Sequence, residues 1–457
     1  MKVTICGHAG LFIEAGEERI LIDPILRNTP LASGGVVHTL TRMLRLADMP
    51  APTLLLVTHA HLDHFDPESL ATLPRTLPVI VPGDPPMIEK LRSLGFSKLI
   101  VLAPWQVFQG RGVTLTATPS GTDIDEFGLV VQTADACFWH MSDAEAELDD
   151  AKRVAAQFGT IDLLSAKYQP ASRVQSQIFR SLGACSDKHD IQDWLETACA
   201  CEPQVVFPYA SGVRFHGDHA WLNKHAFPFR ADEITRLLRL RLGGADRAVT
   251  VAPGDVFEIE NHRVSHRPQA CAFITHDATS GGEVDWEPIE PGTLAGLATD
   301  EQRQDLEARL LALFRGAFGR WMAAQSGAEG VLSQYVEFGV IWQLSVHVSE
   351  SERLEYFIDF TAPRFAIVEG RHPYANFFAH VAGKGLLRRL NGEAQPEALY
   401  SCGDLRLFEK IIGVRDGRVY VPPVQGWELF ECLPEPLTYF LRYPRKWGAD
   451  LEAAGAA

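Results

Sequence analysis

Three histidines and an aspartate fall within six consecutive positions of this 457-residue chain, in the run Thr58-His59-Ala60-His61-Leu62-Asp63-His64. Imidazole and carboxylate are common ligands of transition metals. In an extended turn, side chains at i and i+2 point the same way. His59 and His61 can therefore grip one metal ion, while Asp63 and His64 face a second position beside it. A chance cluster of surface histidines is the plainer reading, and the surroundings argue against it. Residues 53–58 carry Leu54-Leu55-Leu56-Val57, apolar on both faces, which reads as a buried strand ending at Thr58. Asp66-Pro67-Glu68 then opens a helix, with Asp66 as N-cap and Pro67 in the first turn. A loop pinned between two such elements holds ligands with little reorganisation.

The elements that must carry this loop are legible over the first 260 residues or so. Residues 2–6, 11–14 and 19–23 read as strands joined by tight glycine-containing turns. Residues 77–81, 98–102, 113–118, 129–133 and 137–141 continue the series, and helices fit 86–94, 144–158, 191–200 and 231–240. Strand runs alternating with helices suggest two sheets packed face to face with helices outside. From about residue 265 the chain turns rich in Pro, Gly, Thr and Ser, and 265–299 reads as a linker between a catalytic domain, 1–264, and a second domain, 300–457. That second domain reads as a smaller α+β unit: an amphipathic helix over 300–324, strands over 335–348, 355–359 and 365–368, and a helix over 374–390.

Composition narrows the function. Hydrophobic residues make up 46% and charged residues 22%, the balance of a globular protein. A formal net charge of -16 repels phosphate and argues against a broad nucleic-acid surface, though not against a local basic pocket. The start lacks a charged-then-apolar signal segment, and no apolar run approaches the ~20 residues of a spanning helix. Eight scattered cysteines with no Cys-x-x-Cys pair read as reduced thiols of a cytoplasmic protein. The joint Cys-x-His and Cys-x-x-His set of a Rieske iron–sulfur centre is missing.

The order His-x-His-x-Asp-His resembles the signature of the metallo-β-lactamase superfamily. Gly7-His8-Ala9-Gly10 and Ile20-Leu21-Ile22-Asp23-Pro24 resemble its first strands. The resemblance implies an αββα sandwich followed by the smaller α+β domain. It implies that Asp23 orients a metal-bound histidine from behind, with Thr58 beside it; Asp23 could instead be a turn former before Pro24. It also implies that Asp143, after the strand ending at Met141, bridges two metals, unless Asp143 caps the helix expected from Ala144. Metal ligands would then be His59, His61, Asp63, His64 and Asp143, with Asp63 and His64 acting in catalysis.

Two departures stand out. Hydrolytic members usually place a histidine where this chain reads Thr118-Pro119-Ser120-Gly121-Thr122-Asp123, and another after a late proline, where it reads Pro208-Tyr209-Ala210-Ser211. The replacements on offer are Asp123, Asp125 or Glu126, more often solvated loop acids, and His216 or His219. More oxygen and fewer imidazole ligands favour iron or manganese over zinc. Residues 208–223, from Pro208-Tyr209-Ala210-Ser211-Gly212 through His216-Gly217-Asp218 to Trp221-Leu222-Asn223, resemble the catalytic region of CMP-N-acetylneuraminate hydroxylases, as do Pro253-Gly254-Asp255, His372-Pro373-Tyr374 and Gly383-Lys384-Gly385. That resemblance implies His216 as the last metal ligand, against a surface histidine. It implies an iron-dependent oxygenase, mono- or dinuclear, acting on a small polar molecule. Lacking a Rieske set, the chain would take electrons from an external ferredoxin or reductase. The alternative is a zinc- or manganese-dependent hydrolase of a phosphodiester, lactone or amide, with Asp63 orienting the attacking water. Arg214 and Lys224 could meet an anionic group, though such residues are more often solvated. Residues 386–406 also resemble a sterol-carrier-protein-2-like domain; the other reading is a lid, or a dimerisation domain that would make the chain a homodimer. Neither a nucleic acid nor a membrane is expected as partner.

Overall fold

The structure is a computed structural model. It describes residues 1–29, 31–33, 36–38, 41–168, 188–210, 213–215, 229–277, 294–327, 330–362, 365–394, 399, 403–415, 417–420 and 435–442. These divide into two compact units, one holding nearly all the described residues up to 277 and the other those from 294 onward, apart from a short piece near 417.

In the first unit, strands β1 (Lys2–Gly7), β2 (Gly10–Ala15) and β3 (Glu18–Ile22) form an antiparallel meander. Strands β4 (Leu54–Leu56), β5 (Val79–Val81) and β6 (Leu99–Val101) extend it in parallel. Strands β7 (Val107–Gln109), β8 (Thr114–Thr118), β9 (Gly128–Gln132), β10 (Cys137–His140), β11 (Leu163–Lys167) and β12 (Val205–Tyr209) make a second sheet in that order. Its first four strands are antiparallel, and β10, β11 and β12 run parallel. Strands β13 (Val256–Glu260) and β14 (Arg263–Arg267) return to the first sheet beside β1, closing its order as β14-β13-β1-β2-β3-β4-β5-β6.

The two-residue period of a strand explains the layering. Leu54 and Leu56 face the second sheet, in one core with Ile5, Ile20, Leu115, Leu129, Phe138 and Phe207. Leu55 and Val57 face the other way, with Phe12, Val79, Leu70, Met87 and Leu91. The last three belong to α1 (Pro67–Leu70) and α2 (Pro85–Ser93), which cover the outer side of this sheet. Two sheets with helices outside is the arrangement expected from the sequence.

Several expectations need correction. The helix expected from Ala144 is α3 (Leu148–Phe158), with Glu147 as N-cap, so Asp143 caps no helix. The backbone instead turns at Ala144, whose N–H donates to Met141 O at 3.1 Å. The stretch expected as a linker is ordered at its start: β14 runs to Arg267, and Ile274–His276 pairs with Arg42–Leu44. Most of the rest, 278–293, lies outside the described residues. Two helices of the first unit, α4 (Lys188–Ala200) and α5 (Ala231–Leu242), fall near their expected places.

In the second unit, the expected long helix is two, α6 (Asp300–Arg315) and α7 (Ala317–Gln325), broken at Gly316, whose φ of -104° and ψ of -117° cannot continue a helix. Residues 335–348 are not one strand: α8 (Ser333–Glu337) ends near Gly339, at φ 61°, before β15 (Ile341–His347). Strand β16 (Arg353–Asp359) pairs antiparallel with β15, and β17 (Val368–Glu369) forms the edge. The helix expected over 374–390 begins as strand β18 (Phe377–Ala382), parallel to β15, and turns helical only in α9 (Gly383–Leu390). Strand β19 (Leu405–Glu409) completes a five-stranded sheet. A short run buried on both faces, such as Phe377-Phe378-Ala379-His380-Val381-Ala382, has no periodicity that separates strand from helix. One side of this sheet and the helices enclose a core of Leu310, Phe318, Trp342, Leu344, Leu386 and their neighbours. Among the described residues, no helix is long and apolar enough to cross a membrane.

Candidate metal centre

The loops leaving β3, β4 and β10, together with the turn between β1 and β2, bring their side chains to one place. Several do so from strained backbone: His8, Asp23 and Ser142 lie in the left-handed region, at φ 47°, 43° and 53°. For residues other than glycine this conformation costs energy, and it persists where surrounding contacts over-determine it. Gly7, at φ 106°, and Gly10, whose absent Cβ would sit 3.1 Å from Asp23 O, allow the first turn to pack against the exit of β3.

Asp23 organises the layer behind the ligands. It is fully buried and accepts four bonds: from Thr58 N–H at 2.8 Å, Thr58 Oγ1 at 2.7 Å, His64 Nδ1 at 2.8 Å and Ser142 Oγ at 3.4 Å. With its hydroxyl proton given to Asp23, Thr58 Oγ1 is an acceptor for His59 Nδ1–H at 3.1 Å. Both rings are thereby set in the tautomer that leaves Nε2 as the donor atom toward a metal. Ser142 Oγ, 2.9 Å from Thr58 Oγ1, ties the exit of β10 to the same layer. Burial would raise the Asp23 carboxyl, but the charge and hydrogen bond of His64, with His59 and Thr58, hold it below the usual carboxylate range.

In front of this layer the donor atoms converge. His59 Nε2 and His61 Nδ1 face each other at 2.9 Å. His64 Nε2 lies 3.4 Å from Asp143 Oδ1 and 3.8 Å from Asp63 Oδ2. His64 Nε2 and Asp143 Oδ1 are buried and make no hydrogen bond. Orphaned buried polar atoms are costly. A cation among them would satisfy both, and would also relieve two imidazole nitrogens pointed at one another. One set of ligand atoms, from His59, His64 and Asp143, lies within 4.8 Å of one another, and so does a second, from His8, Asp63 and His64. The donor set fits a metal ion held by one or the other of these overlapping groups. Burial lowers His59 to about 3, while Asp143 and Asp23 overcome burial and raise His64 well above its ordinary value. Burial likewise works against the Asp143 charge, but His64 and Lys167 hold its carboxyl far below the usual range.

Of the residues expected from the sequence, Asp23, Thr58, His59, His61, Asp63, His64 and Asp143 are brought together. Asp23 is thus more than a turn former. His216 and His219 lie outside the described residues, as does Lys224; Arg214 lies on the short strand Val213–Phe215. Asp123 and Asp125 are exposed, but Glu126 is buried. Its Oε1 accepts from Ser120 Oγ at 2.5 Å and Thr122 Oγ1 at 2.6 Å, and its Oε2 stands 3.8 Å from His59 Nδ1. The acid loop over residues 120–126 thus reaches the site from behind His59.

Sequence reasoning passed over three groups. His8 Nε2 donates to Asp63 Oδ2 at 2.7 Å; a histidine flanked by glycines in a tight turn was its visible signal. Lys167, the last residue of β11, reaches Asp143 with Nζ 3.4 Å from Oδ2. His140 is buried on the inner side of β10, bonded through Nδ1 to Ser165 Oγ at 2.6 Å, and burial lowers it to about 4. Neither of the last two had a signal, because nothing marked β11 as a neighbour of β10.

The family model that the sequence matches agrees with this architecture. Residues 2–180 match the family model described as a Beta-lactamase superfamily domain. A putative Rieske 2Fe-2S iron–sulfur protein of Mycolicibacterium smegmatis is 27% identical over 286 residues, covering 56% of this chain and 52% of that protein. A UPF0173 metal-dependent hydrolase of Pyrococcus furiosus is 32% identical over 143 residues, covering 31% of this chain and 49% of that one. The chain thus spans about half the length of either relative. Among solved structures, CmlA, a diiron beta-hydroxylase from Streptomyces venezuelae, aligns over 58% of this chain and 54% of its own at 20% identity, with a TM-score of 0.41. An isothiocyanate hydrolase from Delia radicum gut bacteria aligns over 57% of this chain and all of its own at 18% identity, with a TM-score of 0.42. The first unit has the metallo-β-lactamase fold.

Proposed function

We propose that this chain, a metal-dependent enzyme of the metallo-β-lactamase fold, is an iron-dependent oxygenase that hydroxylates a small polar molecule with electrons from a separate ferredoxin or reductase. The observation that carries this reading is the oxygen-rich character of the site. Asp63 and Asp143 stand among the donors, and Asp23 and Glu126 are buried directly behind the imidazoles. Hydrolytic members of the superfamily usually place a histidine in the loop where this chain carries Ser120, Thr122 and Glu126. Oxygen donors in place of imidazole suit iron or manganese better than zinc.

Iron held by His59, His61, Asp63, His64 and Asp143 would supply redox chemistry toward dioxygen. The chain's own residues do the rest. Asp23 and Thr58 hold the His64 and His59 rings in one tautomer. The relative named as a putative Rieske iron–sulfur protein supports iron chemistry.

The relative named as a metal-dependent hydrolase supports a second reading: zinc or manganese in the same cluster and hydrolysis of a phosphodiester, lactone or amide. Asp63 would orient the attacking water, with His8 holding its carboxylate. Metal analysis of protein purified without oxygen separates the two. Iron together with dioxygen uptake in the presence of a reductant is expected. Zinc, with turnover of a generic phosphodiester both in air and without it, would overturn the oxygenase reading.

A further inference from the structure

The two oxygens of Asp143 have different surroundings. Oδ1 lies 3.4 Å from His64 Nε2, is buried and makes no hydrogen bond. Oδ2 lies 3.4 Å from Lys167 Nζ, and the same ammonium donates to the Asp143 backbone oxygen at 3.5 Å. Lys167 ends β11, and Asp143 follows the parallel neighbour β10, with His140 beside Ser165 in the register. The C-terminal ends of adjacent parallel strands are where α/β sheets gather ligand-binding groups. Here one strand presents the acid and the next grips it from the side.

We propose that Lys167 is a positioning residue: it takes up Oδ2 and the backbone carbonyl of Asp143, so that Oδ1 alone is presented to the metal. The proposal rests on the reading that the cluster around His64 holds a metal. An aspartate on a loop without a helix cap can rotate about χ2 and chelate with both oxygens or none. Held at one oxygen by a half-buried ammonium, it offers a single donor with little reorganisation. A ligating carboxylate that is itself hydrogen-bonded follows the general pattern of metal sites, where loss of the outer partner costs about ten- to a hundredfold in metal affinity.

The test uses Co(II) as probe, because its visible absorption reports both binding and coordination number. Wild-type protein, Lys167→Met, Lys167→Gln and Lys167→Arg are titrated under a competing chelator, with circular dichroism to confirm that each is folded. Lys167→Met should bind Co(II) about ten- to a hundredfold more weakly, with a changed visible spectrum. Lys167→Arg, which keeps a charged donor, should restore most of the affinity and the native spectrum. Lys167→Gln, an uncharged donor, should fall between them, and it decides the matter if the methionine variant does not fold. Native affinity and spectrum in the folded neutral variants, or tighter binding once the positive charge is gone, would overturn the role of Lys167. If wild-type protein itself takes up no Co(II), it is the metal reading that fails.

Discussion

The donors that meet on the Asp23 carboxylate decide which way two histidines point. Thr58 N–H, Thr58 Oγ1 and His64 Nδ1 take up its oxygens at 2.7–2.8 Å, leaving His64 Nε2 facing Asp143. Asp23→Asn keeps the shape but turns one acceptor into an NH2 that cannot accept from His64. Its metal affinity should fall about ten- to a hundredfold, read by chelator competition, while the far-ultraviolet circular dichroism stays native. His61→Ala removes a donor outright. It should abolish activity under either functional reading and lower the metal content measured per chain; full activity would rule this site out. His8 belongs to the same scale. A short bond to Asp63 from a left-handed turn is an arrangement that only a functional or tightly packed site sustains.

Among elements, α1 frames the metal loop. Asp66 caps it by accepting from Ser69 N–H at 3.2 Å, and Arg27 reaches the same carboxylate at 3.3 Å. Asp66→Ala should cost about 0.5–2 kcal/mol, measured by urea unfolding. The two sheets are tied at another point. Glu18 on β3 accepts from Arg111, in the turn between β7 and β8, at 3.0 Å, and Gly16, at φ 59°, permits the close approach. The Arg111 hydrogen bond, reinforced by Thr53, holds Glu18 at about 2 against an ordinary 4.5. A depressed acid stabilises the fold at pH values above its unfolded pKa, and that contribution drains away as pH falls from 4.5 toward 2. Glu18→Gln should therefore melt at a lower temperature at pH 7. It should also lose less of its remaining stability than wild type does on acidification through that window. An unchanged acid limb in thermal melts would show that the pair does not link the sheets energetically.

At the scale of the molecule, the first unit carries the candidate metal site, and the second has its own core around Phe318 and Trp342. A ligand that binds only the folded form stabilises it by mass action, roughly 2.7 kcal/mol at a hundred times its dissociation constant. Removing metal with a chelator should thus lower the melting transition of the first unit in calorimetry. Phe318→Ala, by contrast, should destabilise the second unit by about 3–5 kcal/mol and leave metal content per folded chain unchanged. Loss of metal in that variant would mean that the two cores are one cooperative system.

What could be read without the structure, and what could not, divides along the range of the interactions involved. The loop at residues 58–64 was readable because strand, turn and cap are local devices, each with its own residue signature over a few positions. The sandwich was readable because alternating and doubly apolar strands announce which faces are buried. Helix and strand were confused where a short run such as 377–382 is apolar on both sides, and where a glycine such as Gly316 or Gly339 broke an otherwise continuous pattern. His8 and Lys167 are a different matter. Each approaches the site across a sheet or from a turn far away in the chain, as Lys167 meets Asp143 only because β11 lies parallel to β10. Spacing along a chain carries no record of such pairings. They exist only once hydrogen bonding between strands has chosen the register, and with it the side chains that share one end of the sandwich.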